Sequence, residues 1–262
     1  MTRLPTVFVS HGAPTFAIEP GRIGPLLTAL GQQFPRPRAV LLLSPHWMTR
    51  GLAVGASAAP QTIHDFGGFP AQLYTLQYPA HGDPVLATRV AQLLGLRGHA
   101  VHVDEQRGLD HGAWIPMRYL YPAADVPVLQ LSLPVHFDAA DAWQLGEALS
   151  PLSEEGVLIV GSGSLTHNLS EFRHTSSTHD ADYVRRFVEW SRQAVTSGDS
   201  AAIIDYLNSA PDARRAHPTP DHYLPLLFAA GAARAGAPGR VIDGGVTHGV
   251  LSMDAFVFGL AN

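Results

Sequence analysis

The chain has 262 residues, of which 46% are apolar, enough to build a sizeable hydrophobic core. The formal net charge is −5 and the 17 cationic residues are scattered, so the basic patch typical of nucleic-acid-binding proteins is missing. The sequence has no cysteine and no lysine, which excludes disulfide scaffolds, zinc fingers, thiol nucleophiles and Schiff-base chemistry. With 14 histidines present, any metal site must be built from imidazole and carboxylate groups.

The apolar runs are all short. None approaches the ~18 uninterrupted apolar residues of a membrane span, and the first run is too short for a signal peptide. We therefore expect a cytoplasmic protein that binds neither membranes nor nucleic acid, and that is a monomer or a homodimer.

Predicted strands and helices alternate along most of the chain, which favours the α/β class. In chain order they are strand Thr6–Ser10, helix Gly21–Phe34, strands Ala39–Ser44 and Leu52–Ala56, helix Pro84–Leu96, strand Val126–Leu133, helix Ala139–Leu149, strand Val157–Val160, helices Asp180–Ser197 and His222–Ala233, and strands Arg240–Asp243 and Ala255–Phe258. Several strands are continuously apolar, which indicates a sheet covered on both faces. We predict a single domain over residues 1–262, with a central, mostly parallel or mixed sheet flanked by helices.

Three of the predicted strands are followed within a few residues by a histidine. His11 follows the first strand, His46 the second, and His167 the strand Val157–Val160. Because ligands of open α/β sheets bind beyond the carboxyl ends of the strands, these three side chains are candidates for one shared site. A single histidine at such a position is more often a hydrogen-bonded structural residue, so the prediction depends on the repetition.

Two further histidines, His111 and His222, lie in turns that open helical segments. A long loop, Thr62–Pro84, carries His64 and Asp65, and ordered loops of that length are often functional.

The segment Gly161-Ser162-Gly163-Ser164-Leu165 suggests two other chemistries. It lacks the closing glycine of a nucleophile elbow, and Thr166 stands where a dinucleotide fingerprint requires glycine. A serine hydrolase using Ser10 or Ser164 stays open at this point, although no motif identifies the other members of a triad.

A set of motifs distributed over the whole chain resembles the DODA-type extradiol aromatic ring-opening dioxygenases, the class III, LigB-like family that includes the 4,5-DOPA extradiol dioxygenases. The motifs are Ser10-His11-Gly12-Ala13-Pro14, Ser44-Pro45-His46-Trp47, Thr62-Ile63-His64-Asp65-Phe66-Gly67-Gly68-Phe69-Pro70, Leu109-Asp110-His111-Gly112-Ala113-Trp114, Gly161-Ser162-Gly163 with Thr166-His167-Asn168, and Pro218-Thr219-Pro220-Asp221-His222-Tyr223-Leu224-Pro225. The resemblance extends to the segment Leu251-Ser252-Met253 near the C-terminus.

The resemblance implies a LigB-like α/β fold with a divalent metal at the carboxyl edge of the sheet. His11, His46 and His222 are its implied ligands, with Asp221 as the alternative third ligand and His167 as a possible additional one. Fe(II) is expected for ring cleavage. A third imidazole in place of the usual carboxylate leaves the site one negative charge short, which makes Zn(II) a plausible occupant as well.

The resemblance also implies the reactants and the remaining roles. A small aromatic diol, DOPA-like, would react with O2 to give a muconic semialdehyde-type product. His167 would act as the acid–base group and His111 would stabilise charge on oxygen. His64 and Asp65 would orient the substrate, whereas Trp47 and Tyr223 would form apolar walls or pack in the core.

Two alternatives stay open on the sequence. One is a zinc-dependent hydrolase that uses the same histidines, since zinc on three imidazoles activates water. The other is a noncatalytic, metal-binding member of the superfamily, although such a protein has no need of an acid–base histidine.

Overall fold

One eight-stranded sheet and a small two-stranded hairpin organise the computed structural model, which describes residues 3–172, 180–234 and 236–259. The strands of this part of the chain are β1 (Thr6–Ser10), β2 (Ala39–Thr49), β3 (Ala53–Gly55), β4 (His102–Asp104), β5 (Val128–Pro134), β6 (Val157–Gly163), β7 (Gly239–Ile242), β8 (Val246–Thr247), β9 (Leu251–Ser252) and β10 (Ala255–Phe258). Across the large sheet the order is β4-β3-β5-β2-β6-β1-β10-β7, and β8 pairs with β9.

Helices cover both faces of this sheet. The α-helices described are α1 (Ile23–Gln33), α2 (Pro84–Gly95), α3 (His111–Leu120), α4 (Ala139–Leu149), α5 (Leu169–Phe172), α6 (Asp182–Ser197), α7 (Ser200–Ile204), α8 (Tyr206–Ser209), α9 (Ala213–Ala216) and α10 (Leu224–Ala232). Short 3-10 helices lie at Pro14–Ala17, Ala71–Thr75 and Ser150–Ser153. Helices α1 and α3 pack on one face, and α2, α4, α6 and α10 pack on the other.

The strands are continuously apolar because both of their faces are buried. In β1, Phe8 belongs to the apolar cluster under α4 and α10, whereas its neighbours Val7 and Val9 belong to the cluster under α1 and α3. Side chains alternate between the faces of a strand, so a sheet covered on both sides needs apolar residues at successive positions. The predicted α/β fold with a mixed, mostly parallel sheet is confirmed.

Parallel pairing brings several strand ends to one edge of the sheet. Strand β6 pairs in parallel with β1 on one side and with β2 on the other, and β2 pairs in parallel with β5. Strands β3 and β10 run antiparallel to this central group. The carboxyl ends of β1, β2 and β6 therefore open on the same side, where we expected the histidines to converge.

Some elements depart from the predicted boundaries. Strand β2 continues through Pro45 to Thr49 instead of ending at Ser44, and its pairing with β5 shifts register between Leu43 and Met48. The edge strand β4 and the short helices α7 to α9 were not predicted, because they are too short to show a period in the sequence. No helix within the described ranges is both long and apolar enough to cross a membrane.

Candidate metal centre

Three imidazoles converge at the carboxyl edge of the sheet. His11 directly follows β1, His46 lies in the irregular part of β2, and His222 precedes α10. One ring nitrogen from each lies within 4.8 Å of the others, and the Nε2 atoms of His11 and His46 are 3.0 Å apart. Helix α10 and the strands are buried elements, so the three imidazoles, which come from distant parts of the chain, are held on a rigid frame.

The outward-facing nitrogens of His11 and His222 have partners that define their tautomers. His11 Nδ1 lies 3.0 Å from Ser162 Oγ, and His222 Nδ1 lies 2.5 Å from Asp221 Oδ2. Because a carboxylate only accepts, His222 Nδ1 donates, and its Nε2 is left with a lone pair. That Nε2 is buried and has no hydrogen-bond partner among the residues that the structure describes. An orphaned imidazole nitrogen facing two others fits a divalent metal ion.

The Asp221 carboxylate accepts a hydrogen bond from His222 Nδ1. Although burial acts to raise it, the hydrogen bond from His222 holds the pKa of the Asp221 carboxyl below its usual range. A carboxylate on the far nitrogen of an imidazole is the common support of a metal-bound histidine. Asp221, His222 and His167 also form a compact group by themselves, with ligand atoms within 4.8 Å of one another.

His167 lies flat against His222. Their ring centroids are 3.4 Å apart and their planes differ by 8°. The backbone N–H of His167 donates to Ala216 O at 2.8 Å, which anchors the residue beside the segment that leads to His222. Burial, together with the neighbouring His222, lowers the pKa of His167 to about 2, so this imidazole is neutral in the metal-free protein.

His111 completes the cluster at the first position of α3. Its ring lies 3.9 Å from that of His46 and 5.5 Å from that of His11, centroid to centroid. Asp65 holds it: His111 Nδ1 is 3.0 Å from Asp65 Oδ2, and the His111 backbone N–H donates to Asp65 Oδ1 at 2.9 Å. Although burial acts to raise it, these bonds from His111 lower the pKa of Asp65 to about 2.

The remaining predicted site residues lie farther from the converging nitrogens. His64 Nε2 bonds to Leu76 O at 3.0 Å, and the His64 ring contacts Trp114 and Phe66 instead of the histidine cluster. Trp47 is 9% exposed and packs under the guanidinium of Arg107, 4.9 Å from its ring centroid.

Tyr223 is fully buried and stacks on Tyr206 at 4.0 Å. Of the two roles predicted for it, this position favours core packing over a substrate wall. Ser10 and Ser164 are buried too, and each hydroxyl donates to a backbone carbonyl, of Asp254 and Thr166 respectively. Within the described ranges neither serine hydroxyl bonds to a histidine, so the structure does not support the serine-hydrolase alternative.

Three contributors to the site did not emerge from the sequence: Ser162, Phe66 and Asp110. Ser162 was noticed only as part of a glycine-rich motif. The ring of Phe66 meets that of His111 edge-on, with centroids 5.7 Å apart. Asp110 caps α3 by accepting from Ala113 N, and an aspartate placed just before a helix is a signal that could have found it.

Comparison with known proteins identifies the family of this chain. A family model described as the catalytic LigB subunit of aromatic ring-opening dioxygenase matches residues 21–252. The chain belongs to the LigB family. Among LigB-type relatives, a Beta vulgaris protein named 4,5-DOPA dioxygenase extradiol is 39% identical over 257 residues, which covers 97% of this chain and 96% of the relative. An Escherichia coli K12 protein of the same name is 37% identical over 256 residues, which covers 96% and 93%.

A solved structure supports the same assignment. The crystal structure of an uncharacterized protein from Escherichia coli K12 matches with a TM-score of 0.79 at 31% identity, over 98% of this chain and 100% of that one. The resemblance drawn from the sequence motifs is thus confirmed, and the chain is an extradiol dioxygenase of the LigB family with a histidine-rich site able to bind a metal. This membership favours the dioxygenase over the hydrolase and the noncatalytic alternatives.

Proposed function

We propose that this protein opens the ring of a DOPA-like catechol with O2, beside the two hydroxyls, to give a muconic semialdehyde-type product. His11, His46 and His222 would hold Fe(II), and His167 would be the acid–base group. The observation that carries the proposal is the convergence of three imidazole nitrogens within 4.8 Å, with the buried Nε2 of His222 lacking a hydrogen-bond partner in the described part of the chain. Asp221 is assigned to orienting His222, since its Oδ2 is already engaged by His222 Nδ1.

The metal supplies the chemistry that protein side chains lack. When bound, Fe(II) would lower the pKa of the catechol hydroxyls and make O2 reactive towards the ring. Zn(II), which has no redox chemistry, could only bind the catechol and lower the pKa of its hydroxyls. Neutral imidazoles bind either ion. Fe(II) is therefore the occupant that the proposed reaction requires, and Zn(II) would give a loaded but inactive protein.

The residues around the three ligands have roles that follow from their contacts. His167, neutral and stacked on His222, is placed to take a proton from the second hydroxyl of the catechol and to return it when the ring opens. His111, held by Asp65, turns its Nε2 away from the carboxylate and would stabilise charge on oxygen. Phe66 offers a ring edge next to His111, which suits the packing of an aromatic substrate.

The DOPA-like substrate is inferred from the relatives. The Beta vulgaris and Escherichia coli proteins are named for 4,5-DOPA cleavage, and each aligns with nearly the whole of this chain. The proposed substrate is therefore a single-ring catechol with a short polar side chain.

An assay of the reconstituted protein tests the proposal. Protein loaded anaerobically with Fe(II) should, on addition of L-DOPA and air, form a coloured ring-opened product with equimolar oxygen uptake. The His222→Ala variant is the control and should lose both metal and turnover. Absence of turnover across a panel of catechols, with Fe(II) bound, would contradict the proposal, and oxygen-independent ester cleavage by the zinc-loaded protein would favour the hydrolase.

A further inference from the structure

The glycine-rich end of β6, Gly161-Ser162-Gly163, lies between two of the proposed metal ligands. The backbone N–H of His11 donates to Gly163 O at 2.9 Å, and the backbone N–H of Ser164 donates to His222 O at 2.9 Å. The side chain of Ser162 points to the ring of His11, with 3.0 Å between Oγ and Nδ1. One short segment thus contacts both ligands.

The hydroxyl of Ser162 can act on His11 in only one direction. It donates its single proton to Gly112 O at 2.5 Å, so towards His11 it can only accept. His11 must then carry its proton on Nδ1, which leaves a lone pair on Nε2. That Nε2 faces His46 Nε2 at 3.0 Å, where a metal ion would be held.

The acceptor for Ser162 is available because of a proline in α3. In a regular helix the N–H of residue 116 would bond to the carbonyl of residue 112. Pro116 has no N–H, so the Gly112 carbonyl is left without its helical donor and takes the Ser162 hydroxyl instead. We refer to this chain of contacts, from Pro116 through the Gly112 carbonyl and the Ser162 hydroxyl to His11, as the relay.

Both glycines of the motif lie where a larger residue would clash with the start of α10. A Cβ on Gly161 would lie 1.9 Å from Pro225 O, and one on Gly163 would lie 2.3 Å from His222 O. Any larger residue at either position would push the start of α10, and with it His222, away from β6. Close packing against α10 therefore explains the two glycines that flank Ser162, and no role for Ser162 as a nucleophile is needed to account for them.

We propose that Gly161-Ser162-Gly163 is a positioning motif for the metal centre, in which Ser162, backed by the carbonyl that Pro116 leaves free, fixes His11 in its metal-binding tautomer. The inference rests on the ligand set of the proposed function. Ser162 is a positioning residue, since it acts through His11.

The wild-type protein without metal gives the first test. The ¹⁵N chemical shifts of the two His11 ring nitrogens should show the proton on Nδ1. A proton on Nε2 would overturn the proposal, and this measurement needs neither a variant nor catalysis.

The Ser162→Ala variant gives the second test. Its affinity for Fe(II) or Zn(II), measured by competition with a chelator, should fall about 10- to 100-fold, as is usual when the support of a metal-bound histidine is removed. The Nδ1–H preference of His11 should be lost as well. Ser162→Thr keeps the hydroxyl and should restore the tautomer. Ser132→Ala removes the hydroxyl of an equally buried serine in β5, on the side of β2 opposite β6, where it bonds to Thr49 and Ala53. This variant should keep wild-type metal affinity.

The outcomes separate this proposal from the proposed function. If Ser162→Ala binds metal as tightly as Ser132→Ala and keeps the Nδ1–H tautomer, the relay is wrong. If the His11→Ala variant keeps wild-type metal affinity, the ligand set is wrong and the relay fails with it. A protein that shows the expected tautomer and affinities but cleaves no catechol would overturn the dioxygenase substrate alone.

Discussion

Asp65 lies next to two imidazoles, those of His111 and His46. Its Oδ2 is 3.0 Å from His111 Nδ1 and 3.8 Å from His46 Nδ1, and its Oδ1 accepts from the backbone N–H of His111. Each carboxylate oxygen thus bonds to His111. The contacts favour a positioning role over the substrate-binding role that the sequence suggested. They hold His111 as the Nδ1–H tautomer and direct its Nε2 towards the other histidines.

We expect Asp65→Asn to separate these two roles. An amide cannot accept from both the ring and the backbone donor of His111, so one bond is lost and the tautomer is released. Turnover per bound iron should fall by about tenfold or more with KM nearly unchanged, as for a group that acts only in the reaction. Asp199→Asn is the matched control, because Asp199 accepts from Ala202 N at an exposed helix start. A raised KM with unchanged turnover would instead identify Asp65 as a substrate-binding residue.

The residues of the site were predictable from the sequence to different degrees. His11 and His46 follow strands that the apolar pattern already predicts, so the direction of a parallel sheet was enough to bring them together. Asp65 and Ser162 are partners of His111 and His11 across 46 and 151 residues, and no local pattern encodes such pairs. Their roles depend on where a long loop folds back and on one missing helical N–H.

At the level of elements, the start of α3 is fixed by a buried carboxylate. Asp110 is fully buried and accepts from Ser44 Oγ and Arg107 Nη2, each at 2.9 Å, from Gln130 Nε2, and from Ala113 N at 3.2 Å. One side chain thereby joins α3 to β2 and β5. Since His111 is the next residue, the same network sets the position of its ring.

Replacing Asp110 should cost far more than the loss of a helix cap. In Asp110→Ala the guanidinium of Arg107 loses its ion-pair partner, and breaking a buried pair typically costs about 3–5 kcal/mol. Asp138→Ala removes an exposed N-cap at the start of α4 and should cost only about 1 kcal/mol. Urea denaturation of both variants measures the difference. Equal losses would show that Asp110 is merely a cap.

Two elements whose bounds the sequence did not predict contain an internal proline. The second strand was predicted to end at Ser44, yet β2 continues through Pro45 to Thr49, with a register shift in the part that carries His46. Such irregularities are common next to active sites, where they redirect a side chain. Pro116 lies inside α3, a ten-residue helix that the sequence indicated only as a helical segment opened by the turn at His111. In both places a proline lies inside a regular element next to the candidate site, against its local preference. Only the tertiary contacts show how the element continues past it.

Across the whole molecule, burial keeps a group of histidines neutral. It lowers the pKa of His46 and of His167 to about 2 and that of His217 to about 4, and it lowers that of His11 well below the usual value. His217 lies in the core, where its Nε2 bonds to Leu165 O at 2.9 Å. The folded chain therefore resists protonation at sites that the unfolded chain protonates freely.

This difference makes the metal-free protein sensitive to mild acid. Below about pH 6.5 the unfolded histidines bind protons that the folded ones exclude, so the free energy of unfolding falls as pH falls. For His217 this loss extends from about pH 6.5 down to its folded pKa of about 4, with a slope of at most about 1.4 kcal/mol per pH unit. The other three histidines add to the slope, and the lowered pKa values of Asp65 and Asp221 extend the loss to still lower pH.

Urea denaturation of the metal-free protein between pH 7 and pH 5 measures this slope. The His217→Gln variant should reduce the proton uptake on unfolding by about one at pH 5, because one excluded proton is removed from the balance. His102→Gln changes an exposed histidine of the edge strand β4 and should leave the slope as it is in the wild type. A free energy of unfolding that stays constant between pH 7 and pH 5 would mean that the folded protein protonates these histidines at little cost. Burial would then not be what keeps the imidazoles neutral for metal binding.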